Sequence, residues 1–335
     1  MKGNFTSAQL ICLARVGLYI SLLLPMWASA IDVQRKDVQQ FVAEIAANEQ
    51  FDADYVRGIL DRSEVQESIL EAISRPAEKA KPWHEYRAIF ITPERIKAGV
   101  QFYAKHDQTL ARIEQETGVP PEMVLGIIGV ESYFGRFTGK HRVVDALVTL
   151  GFDYPPRASF FRSELGQAFL LSREEDMDIE ELMGSYAGAI GPPQFIPSSY
   201  RNFAVDGDGD GKRDLINSWD DILASVANYF AVHKWQTGKP VAARATLSEA
   251  TGELSFNDGL KPHSTVGELS AVGVLFPTEL DKETTADLWL LEGKTNPEYW
   301  VGFDNLYVIT RYNHSIMYAL AAWQLGSAIV QEADL

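Results

Sequence analysis

The chain has 335 residues, 46 Asp and Glu against 30 Lys and Arg, a formal charge of −16 and one cysteine. That length exceeds what one hydrophobic core organises and predicts two or three packed subdomains, while 46% apolar and 23% charged residues exclude disorder over most of it. So acidic a chain is not an electrostatic nucleic-acid binder, which needs clustered Lys and Arg. Uncharged or mixed-charge polymers such as glycans stay open as ligands.

Lys2 and Arg15 flank a short n-region, Val16–Leu24 is an apolar run, and Ala28-Ser29-Ala30 offers an A-x-A cleavage site. That order is the order of a secretory signal peptide. A spanning helix needs about 20 apolar residues, and Arg15 and Pro25 interrupt this one. Cys12 lies inside the segment, so the expected mature chain has no cysteine and no disulfide. Ile11 stands before Cys12 where lipid attachment needs a small residue. No later segment reads as a membrane span. The expectation is an exported, soluble chain cleaved near Ala30.

Apolar residues at helical spacing predict helices over Asp37–Asn48 and Ala53–Ser74. Pro82–Arg87 then leads into Ile89-Phe90-Ile91, read as extended. Pro93 opens a helix reaching Gly118, and Pro120-Pro121 opens another running to about Phe134, with Gly135 as its stop. Two further helices are expected at Arg157–Arg173 and Trp219–Val232, and a last one at Ser315–Val330. Between Lys239 and Ile309 the texture changes to short β-prone pieces, Val241–Ala245, Val272–Phe276, Leu288–Leu291 and Tyr307–Thr310, set among Gly, Pro, Asn and Asp. The fold class is therefore mainly α (α+β), with a small late sheet.

Three segments carry chemistry. Glu131 follows Leu125-Gly-Ile-Ile-Gly-Val130 on a helix that is apolar nearly all round, hence buried, and it lies near the negative end of the helix dipole. Burial and dipole both disfavour its ionised form, and a protonated carboxyl is what a general acid for glycosidic cleavage requires. The competing reading is a structural Glu bound to backbone or to Arg136 or Arg142. Asp206-Gly-Asp208-Gly-Asp210-Gly211-Lys212 fits the opening of a calcium loop, with Lys212 offering its carbonyl at position seven. Asn217 stands where the closing Glu belongs, so that carboxylate falls to Asp220 or Asp221; the competing reading is a solvated acidic turn. Ser185–Tyr200, rich in Gly, Pro and Ser, is an exposed loop that sets Gln194 beside aromatic rings, a composition that suits a sugar groove and equally an ordinary turn. The six histidines lack zinc spacing, and there is no nucleophile elbow, dinucleotide fingerprint or phosphate loop.

Taken together, the segments resemble the lytic murein transglycosylase B family. They are Pro82-Trp-His-Glu-Tyr-Arg87, the run around Gly-Ile-Ile-Gly-Val-Glu131-Ser-Tyr-Phe-Gly135, Asp145-Ala-Leu-Val-Thr-Leu150, Gly184 to Tyr200, the Asp-Gly loop, Ser225-Val-Ala-Asn-Tyr229 and Thr310-Arg-Tyr-Asn-His-Ser315. They keep their order along nearly the whole mature chain. The resemblance implies a signal peptide over 1–30, an outer helical domain over 31–115 joined by 310–335, a lysozyme-like catalytic core over 116–236 and a small β domain over 237–309. It further implies that Glu131 is the one catalytic acid and base, cleaving the MurNAc–GlcNAc bond of peptidoglycan without water to leave 1,6-anhydro ends. By motif position, Tyr86, Ser185, Gln194, Phe195, Tyr229, Tyr312, Asn313 and Tyr318 become groove residues. Asp206, Asp208, Asp210, Lys212 and Asp221 become ligands of a structural calcium, with no organic cofactor. Peptidoglycan strands and cell-wall synthesis or recycling proteins are the expected partners, in the periplasm. Pro192-Pro193 departs from a glycine common in that family. A water-using muramidase and a non-catalytic peptidoglycan-binding scaffold remain the alternatives.

Overall fold

The computed structural model describes residues 29–74, 81–249 and 252–334; residues 1–28 of the expected signal segment 1–30 lie outside them, while its last two, Ser29 and Ala30, pair antiparallel with Val65 and Glu64. Among the described residues the chain is mostly helical, with one five-stranded antiparallel sheet placed late. The first helix is Lys36–Glu49, close to its expectation. The second expected helix is broken into Ala53–Asp61, a two-residue strand Glu64–Val65, and Glu67–Ile73. The break has a cause in tertiary structure. Buried Asp145 accepts from the Glu64 amide at 2.9 Å, and the Thr149 hydroxyl accepts from the Gln66 amide at 3.0 Å, so the backbone there bonds to a neighbouring helix instead of to itself.

Of residues 89–91, expected to be extended, Ile89 and Phe90 instead end a helix spanning Trp83–Phe90, and Ile91 caps it in a non-helical conformation. Trp83 and Tyr86 fall three apart on one face and both are buried there. The Pro93–Thr117 helix stops at Gly118 in the left-handed conformation, as expected of a glycine cap. Val143–Asp153 is a helix that periodicity could not announce, because Val143–Phe152 is buried without a break and so shows no polar face. Ala158–Glu174 and Trp219–Val232 match their expectations.

The sheet runs in the spatial order Ser264–Thr265, Thr285–Leu291, Glu298–Gly302, Ala242–Leu247, Val274–Leu275. Tyr307–Thr310 is not part of it. Those residues lie in a helix, Asp304–Thr310, whose Asn305 amide bonds the carbonyls of Gln236 and Lys239 and whose Leu306 and Ile309 enter the main core. Packing there overrides β propensity.

One continuous apolar core runs from Ile31 to Ile329, and the sheet keeps a smaller core of its own. At the centre of the larger core lies Pro121–Ser132, with Met123–Gly129 buried throughout. The C-terminal helix, Ile316–Ala333, crosses it at close range. A Cβ on Gly126 would stand 2.1 Å from the Ala322 carbonyl oxygen, and one on Gly326 would stand 1.7 Å from that of Glu122. Only glycine permits this crossing, and the crossing brings the C-terminal helix alongside Glu131.

Candidate active site

Glu131 is the penultimate residue of the central helix and is half-buried. The helix ends at Ser132, two residues short of the expected Phe134, because the Ser132 hydroxyl accepts from the Gly135 amide and Phe134 N–H turns back to the Ile128 carbonyl. Tyr133 and Phe134 consequently take left-handed conformations, with φ of 52° and 58°. Each costs on the order of 1–3 kcal/mol, and such strain is concentrated at functional sites. Facing Glu131 across the helix crossing is Tyr318, whose hydroxyl donates to Glu131 Oε1 at 2.5 Å.

The loop from Gly184 to Ile196 forms the neighbouring wall. The Gln194 backbone is left-handed (φ 53°), and its amide Nε2 donates to the carbonyls of Thr138 at 3.1 Å and Gly191 at 2.9 Å. These bonds fasten the loop to the segment following Glu131. Gln194, Phe195, Tyr229, Tyr312, Asn313 and Arg157 line a single groove of about 440 Å³. Its rings form one cluster: Tyr229 lies 4.8 Å from Tyr312, and Phe195 lies 5.7 Å from Tyr312 and 5.8 Å from Tyr229. The Tyr312 hydroxyl donates to Pro193 O at 2.7 Å, and the Tyr229 hydroxyl to Arg311 O at 2.5 Å. Burial pushes the Tyr229 phenol up to about 12, opposed by Arg311. Burial and then the Glu131 charge push Tyr312 and Tyr318 well above the usual phenol range. All three therefore remain neutral donors at physiological pH.

Tyr86 and Tyr318 take a different position from the other expected groove residues. At 1% and 2% exposure they lie beneath the surface, Tyr318 against the carboxyl and Tyr86 against Phe90, so a saccharide would not stack on them. The Ser185 hydroxyl accepts from the amides of Ala187 and Ala189 and so shapes its own turn. Arg157, and His233 stacked 4.1 Å from Tyr229, belong to the cluster but were not anticipated. A cation after two prolines and a histidine at a helix end carry no distinctive signal in one sequence.

Among the described residues four carboxylates are fully buried, and each has a structural partner. Arg142 clamps Asp145 with two bonds, and Ser198 donates its amide and hydroxyl to Glu164. Loop amides hold Asp221, and Asp287 accepts from the Leu288 amide and lies beside the His263 ring.

In the acidic loop, Asp206, Asp208 and Asp210 bring carboxylate oxygens within 4.8 Å of one another. Asp206 also accepts from the amides of Gly209, Asp210 and Gly211, the turn expected when alternate side chains converge inside a loop. Asp221 is not in that group. Its carboxylate accepts from the amides of Gly207, Asp208 and Asp214, bracing the loop from within. Asp220 points the other way, to the Thr109 hydroxyl and Arg112.

Residues 33–327 match the family model described as a transglycosylase SLT domain. The chain is 41% identical over 304 residues to the membrane-bound lytic murein transglycosylase B of Escherichia coli (strain K12), covering 88% of this chain and 82% of that protein. The soluble lytic transglycosylase SltB1 of Pseudomonas aeruginosa superposes with a TM-score of 0.84 at 47% identity, covering 89% of this chain and 99% of the other. The E. coli lytic transglycosylase Slt35 in complex with calcium gives 0.83 at 38%, over 92% and 97%. P. aeruginosa SltB3 in complex with NAG-NAM-pentapeptide gives 0.75 at 28%, over 87% and 78%.

Proposed function

This chain belongs to the transglycosylase SLT family and is a lytic murein transglycosylase, and from that premise we propose that Glu131 alone supplies its acid and base. The single observation that carries the assignment is the 2.5 Å bond from Tyr318 to Glu131 Oε1, which orients a carboxyl at the end of the central helix. In this reading the protonated Glu131 gives its proton to the oxygen bridging N-acetylmuramic acid and N-acetylglucosamine, and that bond breaks. The acetamido group of the muramoyl residue stabilises the cationic anomeric carbon. The Glu131 carboxylate then takes the proton from the C6 hydroxyl as that oxygen attacks the same carbon, which closes the 1,6-anhydro ring and restores the acid. No water enters and no second carboxylate is needed. The structural partners of Asp145, Glu164, Asp221 and Asp287 agree with a one-carboxylate scheme.

Gln194, Phe195, Tyr229, Tyr312 and Asn313 are assigned to the saccharide groove, with Tyr86 and Tyr318 positioning Glu131 from below and Ser185 shaping the loop. The acidic loop is assigned to calcium through Asp206, Asp208, Asp210 and the Lys212 carbonyl. All-oxygen ligands at alternate positions suit a hard divalent cation, which would clamp the loop and take no part in the reaction. The proposed division is an outer helical part over 31–115 joined by 310–335, a catalytic core over 116–236 and a β domain over 237–309; the separate small core of the sheet supports the β domain as a unit. The protein is placed in the periplasm, since its substrate lies outside the cytoplasmic membrane; among the described residues no helix is long and apolar enough to cross one.

The test is mass spectrometry of products released from purified sacculi. Anhydro ends from the wild type, with turnover reduced about 10²–10⁴-fold in Glu131→Gln, are expected. Reducing ends would make the enzyme a muramidase, and near-normal turnover in the variant would remove Glu131 from the mechanism.

A further inference from the structure

A second cleft, of about 540 Å³, opens where the Trp83–Phe90 helix, the sheet and the C-terminal helix meet. Strand register puts Arg244 opposite Trp300, and the guanidinium lies 5.1 Å from the centre of that indole. Glu298, on the same face of its strand, accepts from Arg244, from Trp83 Nε1 at 2.9 Å and from Trp300 Nε1 at 3.2 Å. The turn between the two long strands supplies Lys294, and its Glu292 carbonyl accepts from the His84 amide at 3.2 Å, tying turn to helix. Arg87 Nε donates to Gln324 Oε1 at 2.6 Å. That leaves Gln324 Nε2 buried without a hydrogen-bond partner.

Arg87, Arg244 and Lys294 thus meet one carboxylate, in a chain whose formal charge is −16. Among the described residues, only Arg244 of the three is ion-paired. A cationic cleft in an acidic protein concentrates anions locally. Its other features narrow the ligand: Gln324 offers a donor that needs an acceptor, and Trp300 offers an apolar wall. A bare phosphate meets the charge and the donor but leaves the indole wall uncovered. A peptide C-terminus meets all three demands, with its carboxylate, its last carbonyl and a small aliphatic side chain.

We propose that this cleft is a second binding site, which takes the free C-terminal carboxylate of a stem peptide carried by the glycan. The assignment rests on peptidoglycan being the substrate. The C-terminal helix carries Tyr318 to Glu131 and, six residues later, Gln324 to the cleft, a rise of about 9 Å along the helix axis. Six residues also turn the helix by about 240°, so the two sites open on different sides of it and a peptide-bearing strand would pass around the helix to reach both.

The experiment is a titration of the intact ¹⁵N-labelled protein, following the indole N–H signals of Trp83 and Trp300. The probes are a five-residue stem peptide with a free C-terminus, its C-terminal amide and inorganic phosphate. The free acid is expected to shift both indoles saturably, with the amide and phosphate at least tenfold weaker. Arg87→Ala/Lys294→Ala, in which two solvent-reaching side chains are shortened, is expected to weaken the acid at least tenfold with its melting temperature retained. Equal binding of acid and amide, wild-type affinity in the double variant, or unmoved indoles would overturn the proposal. Phosphate binding as tightly as the peptide would overturn the peptide assignment in favour of a phosphate site. Failure of the catalytic reading shows separately, as absence of anhydro products from a protein that still binds the peptide.

Discussion

Tyr318→Phe removes one oxygen atom from the structure and leaves everything else in place. The ring is 2% exposed and packed in the core, so phenylalanine fills the same space. What is lost is the 2.5 Å donation to Glu131 Oε1. A hydrogen bond to a charged group contributes about 1.5–3 kcal/mol. If that contribution holds the carboxyl where the glycosidic oxygen must arrive, its loss lowers kcat by about 10- to 150-fold, at 1.36 kcal/mol per decade. The pH profile provides an independent sign. A donor to a carboxylate favours its ionised form. Without the donor the protonated acid persists to higher pH, so the alkaline limb of kcat moves upward. The assay is release of anhydro-muropeptides from sacculi, quantified by mass spectrometry across pH, with thermal melting to confirm a native fold. A kcat within twofold of wild type, or an alkaline limb that stays or moves down, would refute the positioning role.

Calcium at 100-fold over its Kd is expected to raise stability by about 2.7 kcal/mol, read as a higher melting temperature than in chelator; identical melting in both would leave a plain acidic turn. Asp206→Asn should abolish that calcium response at little cost to the metal-free protein. Asp221→Ala should destabilise even in chelator, by about 1–3 kcal/mol for orphaned loop amides. Calcium-dependent destabilisation alone would instead make Asp221 a ligand.

Most helices and the late sheet are legible because their signals are local: Pro93 and Gly118 bound one helix, and Pro121 opens the central one; the transglycosylase fold is legible only through the ordered motifs of the family resemblance. Misreadings arose where distant residues decide. Asp145 and Thr149 break the helix expected across 62–66, and nothing within Ala53–Ser74 encodes that. Asp304–Thr310 looks β-prone until Asn305 is seen bonded to Gln236 and Lys239. Glu131 could be singled out from its apolar, glycine-bearing helix, but its partner Tyr318 lies 187 positions away, reachable only through the family motif. Of the two adjacent aspartates, sequence could not decide which serves the acidic loop; the structure turns Asp221 inward and Asp220 toward Arg112.

Glycine connects the fold to the chemistry. Ala in place of Gly126 would gain about 0.8–1.0 kcal/mol in intrinsic helix propensity. Its Cβ, however, would lie 2.1 Å from the Ala322 carbonyl oxygen and 2.9 Å from its carbon, both backbone atoms that cannot rotate aside. Relief requires the two helices to separate by on the order of 1 Å, and overpacking of this kind costs about 1–3 kcal/mol. The same separation draws Tyr318 from Glu131, and a misplacement of about 1 Å can cost 10²-fold in rate. Gly126→Ala is therefore expected to lose activity far more steeply than stability. Gly58→Ala is the control, because its new methyl meets only the end of the flexible Arg62 side chain, at 3.2 Å. If Gly126→Ala melts lower yet turns over normally, the crossing is a packing device and Glu131 is positioned by its own helix alone. If turnover falls as predicted while melting changes by a few degrees, the glycine crossing is what aligns the acid with its donor.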